Sequence, residues 1–177
     1  MTFFENILQK LSNPRLVFAL ITGFCTLAIL AALVMQHVFD MEPCALCISQ
    51  RIGILAVGAV ALVACIHNPK VLGIKIYSAL GVAFASIGGA ISARHIWIQN
   101  LPEEEAPLCG PGLGYMFETR PVFDALSLLL KGDGNCADVL FTFLGLSIPG
   151  WTLVAFVGLI LGNIWAIYHS RKIIALL

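Results

Sequence analysis

The sequence has 177 residues, of which 59% are hydrophobic and only 11% charged, far from the composition of an ordinary soluble domain. Ten Lys and Arg balance ten Asp and Glu, so no net field would gather nucleic acid, and that class of partner is excluded. What remains is a single integral membrane domain over 1–177.

The first apolar run, Leu16 to Met35, carries no Asp, Glu, Lys or Arg. Asn13 and Pro14 supply a cap and a first-turn proline, so a membrane span is expected over about 15–37. The run is too long for the apolar part of a signal peptide, and no A-x-A-like site follows before His37, so the helix is read as uncleaved. Bulky Phe24 before Cys25 argues against lipid attachment at that cysteine. Cys25, like Cys65 in the next run, is read as a small packing residue.

The second run, Ile52 to Ile66, is short of the roughly 20 residues needed to cross the hydrocarbon. It reaches crossing length by starting near Ile48, giving a span of about 48–66 after a loop at about 38–47. Arg51 then falls in the first turn, and Cys44 and Cys47 of the stretch MEPCALCISQR lie at the membrane face.

The third span is expected over about 74–95, with Gly81, Ala85 and Gly89 at a spacing that allows close helix packing. The fourth is expected over about 148–169, opened by Ser147 and Pro149, with Gly158 and Gly162 in the same packing role.

Between them lies a long loop, about 96–147. Its first part, LPEEEAPLCGPGLGYM, is dense in Pro and Gly and carries Cys109 on an extended segment; Glu103 to Glu105 read as solvated. The segment RPVFDALSLLLKG places Val122, Phe123, Leu126, Leu129 and Leu130 at helical spacing, as a short amphipathic helix on the membrane surface or on top of the bundle. GDGNCA then makes a tight turn that presents Cys136 near the membrane.

Lys10, Arg15, Lys70, Lys75, Arg171 and Lys172 flank the ends on one side, whereas the long loop carries only Arg120 and Lys131. By the positive-inside rule both termini are cytoplasmic and both cysteine loops face the other side. That side holds Cys44, Cys47, Cys109 and Cys136, which suits an oxidising compartment such as the bacterial periplasm.

A CxxC pair admits metal ligands, a structural disulfide or a redox pair. Zinc would want a second close pair, and Cys109 and Cys136 are far apart in the chain, so no metal is expected. Two disulfides stapling the loops of a non-enzymatic four-helix membrane protein remain a rival reading. Against it, a two-residue spacer closes too small a loop to contribute much entropy. A helix start also favours a thiolate. Arg51, one turn below Cys47 on the same face, sits at a depth where a cation is by default functional and could stabilise an anion forming on a quinone. His95, beside Arg94 near the outer end of its helix, is a second candidate there.

PCALCISQR, with its arginine four residues beyond the second cysteine, GDGNCA, FLGLSIPGW and four spans with two external cysteine pairs together resemble the DsbB family of bacterial disulfide-bond-forming quinone reductases. The resemblance implies an all-α membrane protein, an antiparallel four-helix transmembrane bundle with a long periplasmic loop. It implies an inner-membrane enzyme that reoxidises a periplasmic DsbA-like thiol oxidase and passes the electrons to ubiquinone or menaquinone, as in the relay that keeps the periplasm oxidising. Carried over by position, Cys109 would form the mixed disulfide with the oxidase and Cys136 would be its loop partner. Cys44 would accept electrons from Cys136, and Cys47 would face the quinone beside Arg51. The vitamin K epoxide reductase group, which also joins CxxC to a four-helix membrane core, is the enzymatic rival.

Overall fold

The computed structural model describes residues 13–102, 136–137, 139 and 141–174, with side chains to residue 169. Cys109, the run Glu103 to Glu105 and the amphipathic segment around Phe123 lie outside the described residues. Within them are four long helices, α1 (Pro14–Val38), α2 (Ala45–His67), α3 (Val71–Gln99) and α4 (Ile148–Ile174), and a short hairpin of β1 (Thr142–Phe143) and β2 (Leu146–Ser147). All four helices are long and apolar enough to cross a membrane.

Local chemistry sets the helix ends. Asn13 caps α1 by accepting from the Arg15 N–H at 3.1 Å, and Pro14 occupies the first turn, where its missing N–H is harmless. Cys44 caps α2, its sulfur accepting the Cys47 N–H at 3.4 Å. That cap starts the helix at Ala45, ahead of the membrane span expected from about 48, and brings Cys47 inside the first turn. Asn68 ends α2 in the left-handed region, φ 46°, which Asn tolerates better than most residues. At 29 residues α3 exceeds the expected 74–95 at both ends and is roughly 43 Å long at 1.5 Å per residue. The extra turn at its C-terminal end carries Ile98 up to the level of the cysteines.

Each helix packs on the next in sequence, and α4 returns against both α3 and α1. The buried side of α3 is a stripe of small residues, among them Ser78, Gly81, Ala85, Gly88, Gly89 and Ser92. Its glycines answer bulky partners on α4: a Cβ at Gly81 would press on the Asn163 amide, and one at Gly88 would run into the buried Phe156 ring. The packing expected of Gly81 and Ala85 is therefore present. Gly158 differs, because nothing lies near it and it borders an apolar groove between α1 and α4. The apolar core runs through Phe18, Ile21, Val57, Ala61, Phe156 and Leu159. A smaller cluster at one end joins Leu46, Ile98 and Cys136. Outward-facing Leu27, Ile66 and Leu72 are about 70% exposed, which suits lipid rather than water.

The hairpin closes through Leu144 and Gly145, both at positive φ, and pairs Phe143 with Leu146. Trp151 in the first turn of α4 donates its indole N–H to the Phe143 carbonyl at 2.9 Å. That bond ties the hairpin against the helix it introduces.

Candidate functional site

Because 3.6 residues make a turn, a cap residue and the third helical residue stand one above the other. In α2 these are Cys44 and Cys47, and their sulfurs are 3.1 Å apart. Cys44 is the donor of that contact, and its thiol is pushed up to about 12. The hydrogen bond with Cys136 is the largest single influence and works downward, but the bond shared with Cys47, burial and the nearby Cys47 charge outweigh it. The expectation that a helix start lowers a thiol's pKa therefore does not hold for Cys44: of two sulfurs sharing a proton, one must keep it.

On one side of this turn lies a closed cluster. Cys136, though distant in sequence, is fully buried against Leu46 and Ile98, with Cys44, Ile91, Leu101 and Ala137 around it. His95 reaches the same place from α3 and is 2% exposed. Its Nε2 lies 3.8 Å from Cys44 Sγ and 3.2 Å from the Cys136 carbonyl oxygen. Its Nδ1 is 3.1 Å from Nε2 of Gln50, itself 3% exposed. The ligand-type atoms of Cys44, His95 and Cys136 all fall within 4.8 Å of one another, a convergence that sequence spacing did not suggest. The contact to the Cys136 carbonyl needs a proton on Nε2, where a metal would need a lone pair.

On the other side lies a cavity of about 350 Å³. Cys47, Gln50 and Arg51 line it from α2, Ala28, Ala32 and Met35 from α1, Phe141 and Phe143 from the hairpin segment, and Trp151 from α4. Arg51 is held at the wall by α1: Nη1 donates to Gln36 Oε1 at 2.6 Å and Nη2 to the Ala32 carbonyl at 3.2 Å. The side chain is thus tied to the last turns of α1. These two contacts do not exhaust the donors of a guanidinium.

A sequence model described as "Disulfide bond formation protein DsbB" matches residues 14–166, most of the chain. The chain belongs to the DsbB family. A relative from Saccharophagus degradans named Disulfide bond formation protein B is 55% identical over 89% of this chain and 95% of its own length. Relatives of the same name from Methylococcus capsulatus and Nitrosococcus oceani are 52% and 48% identical, over 85% and 86% of this chain and 92% and 90% of their own lengths. Membership in the DsbB family and the four spanning helices make this a multi-pass membrane oxidoreductase of disulfide-bond formation.

Of the residues singled out in the sequence, the fold brings five together. Cys47 and Arg51 share the cavity, while Cys44, His95 and Cys136 share the buried cluster. His95, expected beside Arg51 at a bound quinone, is not among the cavity's lining residues, because α3 passes behind α2 at this level. Cys25 packs in the bundle core, with Cys65 against it. Sequence reasoning missed Gln36 and Gln50. Both are polar residues at the ends of apolar runs, a signal that searching for charges alone passes over.

Proposed function

We propose that this DsbB-family protein is a protein-dithiol:quinone oxidoreductase of the bacterial inner membrane. It reoxidises a periplasmic DsbA-like thiol oxidase and passes two electrons through Cys109 and Cys136, then Cys44 and Cys47, to ubiquinone or menaquinone. The termini lie in the cytoplasm and the cysteine loops in the periplasm. One observation carries the reading: Cys47 and Arg51 line one cavity, while Cys44, one turn away, contacts Cys136.

The chain's residues divide the chemistry accordingly. Disulfides exchange when a thiolate attacks one sulfur and the other leaves. Attack of Cys136 on Cys44 Sγ forms the Cys44–Cys136 bond and breaks the Cys44–Cys47 bond, and the electron pair leaves on Cys47. Cys47 lies at the cavity wall, beside a cation fixed by Gln36 and Ala32. Arg51, already oriented, favours negative charge developing in the cavity without reorganising. A bound quinone supplies a two-electron acceptor soluble in the bilayer. The cavity fits such a group: its volume falls in the range of about 300–1,000 Å³ usual for small-molecule sites, and its walls are mostly apolar with a few convergent polar groups.

The experiment is trapping. With Cys109 and Cys136 joined as a disulfide, a reduced thioredoxin-like oxidase whose second active-site cysteine is removed should attack Cys109 and release the Cys136 thiolate, giving a mixed disulfide through Cys109. Capture only through Cys47 would overturn the order, since Cys47 is assigned to the cavity. The non-enzymatic stapled reading predicts no capture and no quinone reduction by any reduced partner.

A further inference from the structure

The His95 ring is held at both nitrogens, and with the Gln50 amide oriented as it is the two contacts call for the same placement of its proton. An amide nitrogen offers only N–H, so Gln50 Nε2, 3.1 Å away, requires a bare Nδ1. A carbonyl oxygen offers only lone pairs, so the Cys136 carbonyl, 3.2 Å away, requires N–H at Nε2. The two contacts come from opposite sides of the ring and demand the same neutral tautomer. An imidazolium would set N–H against N–H at Gln50. The other neutral tautomer would fail at both contacts.

We propose that Gln50 is a positioning residue that fixes His95 as the Nε2–H tautomer, so that the ring presents a donor, and not a base, to the Cys44 and Cys136 pair. Nε2 lies 3.8 Å from Cys44 Sγ, within reach of a hydrogen bond to sulfur. The consequence for exchange rests on the relay proposed above. When a third thiolate attacks Cys136 Sγ of a Cys44–Cys136 disulfide, a new S–S bond forms to Cys136 and the Cys44–Cys136 bond breaks. The electron pair then leaves on Cys44 Sγ, the atom that the Nε2–H faces. Stabilising a leaving thiolate speeds its departure. Gln50 also borders the cavity, so one residue adjoins both compartments of the site.

The test reads the proton directly. Protein labelled with ¹⁵N at histidine, in detergent at neutral pH and assigned against His95→Gln, should show His95 with Nδ1 bare and Nε2 protonated. Gln50→Glu keeps the length but accepts instead of donating, so Nδ1 should gain a proton while the Cys136 carbonyl keeps Nε2–H, giving an imidazolium. Gln50→Leu, which tolerates either form and introduces no buried charge, should give a mixture of tautomers. In a Cys47→Ser background locked as the Cys44–Cys136 disulfide, opening by dithiothreitol should slow about twofold or more in Gln50→Leu, in proportion to the share of molecules that lose Nε2–H. A protonated Nδ1 in the parent protein, or a protonation pattern that neither substitution changes, overturns the proposal, as does equal opening with Gln50 and with Leu at that position. Failure of the relay itself shows elsewhere, as a parent protein that does not reduce quinone while the tautomer assignment stands.

Discussion

Cys44 and Cys47 are three residues apart with their sulfurs in contact, yet they belong to different surroundings. Cys44 looks into a cluster where Cys136 is wholly buried and His95 nearly so. Cys47 looks into a cavity walled by α1, α2, α4 and the hairpin, with an arginine held at its edge. A single helical turn thus separates a sulfur set in a buried cluster from a sulfur at a cavity wall. A flexible CxxC loop would let both sulfurs reach both sides. Placing one at the cap and the other at the third helical residue assigns each to its own compartment.

The largest effect should come from removing either sulfur. Cys47→Ser should abolish quinone reduction yet still allow a Cys44–Cys136 disulfide, detected by peptide mapping under non-reducing conditions. Cys44→Ser should abolish quinone reduction and leave Cys136 without that partner. Retained turnover in either would erase the distinction between the sulfurs.

Next in size is the cavity wall. Arg51→Ala should raise the KM for quinone by roughly tenfold or more, the scale of a lost charge-assisted hydrogen bond, in steady-state assays with a soluble quinone analogue. The rate of Cys44–Cys136 exchange should stay within about twofold of the parent. Equal KM values for several quinones in the two proteins would remove Arg51 from the site.

The two sulfurs should also separate by pH. Only the thiolate is alkylated, so a thiol pushed up to about 12 is almost entirely protonated at neutral pH and reacts slowly there. In the reduced protein, iodoacetamide labelling of Cys44 should keep rising well above pH 9. Cys47→Ala removes two of the influences that raise this thiol, the shared hydrogen bond and the nearby charge, so the rise should move to lower pH. A Cys44 profile that levels off near pH 8 in the parent protein would contradict the assignment.

The smallest effect contrasts two glycines far from the sulfurs. Gly88→Ala would push a methyl into the Phe156 ring and should reduce stability by about 1–3 kcal/mol, as overpacked cores do, seen as a lower Tm in detergent. Gly158→Ala meets nothing and should leave Tm unchanged or raise it slightly.

How much of this was legible in the sequence differs between the two compartments. The helices were, because four uncharged runs of near-crossing length have few other solutions. So was the shared face of Cys47 and Arg51, which helical spacing alone dictates. That the CxxC motif opens a helix was legible as well, although Cys44 takes the capping role usually filled by Ser or Asp. The hairpin was not foreseen: its turn begins with Leu144, which carries none of the Asn or Asp signal typical of that position. The cluster was the least legible part. His95 is 51 positions from Cys44, and only the packing of α3 behind α2, with Cys136 folded over both, brings them together.

The most direct test of the division is where a quinone lands. A photoreactive quinone analogue, activated on the purified protein and mapped by peptide mass spectrometry, should label the cavity wall, at Met35, Met41 or Trp151. Labelling concentrated at Ile91, Ile98 or Leu101, in the cluster around Cys136, would place the quinone on the wrong side of the turn and contradict the account.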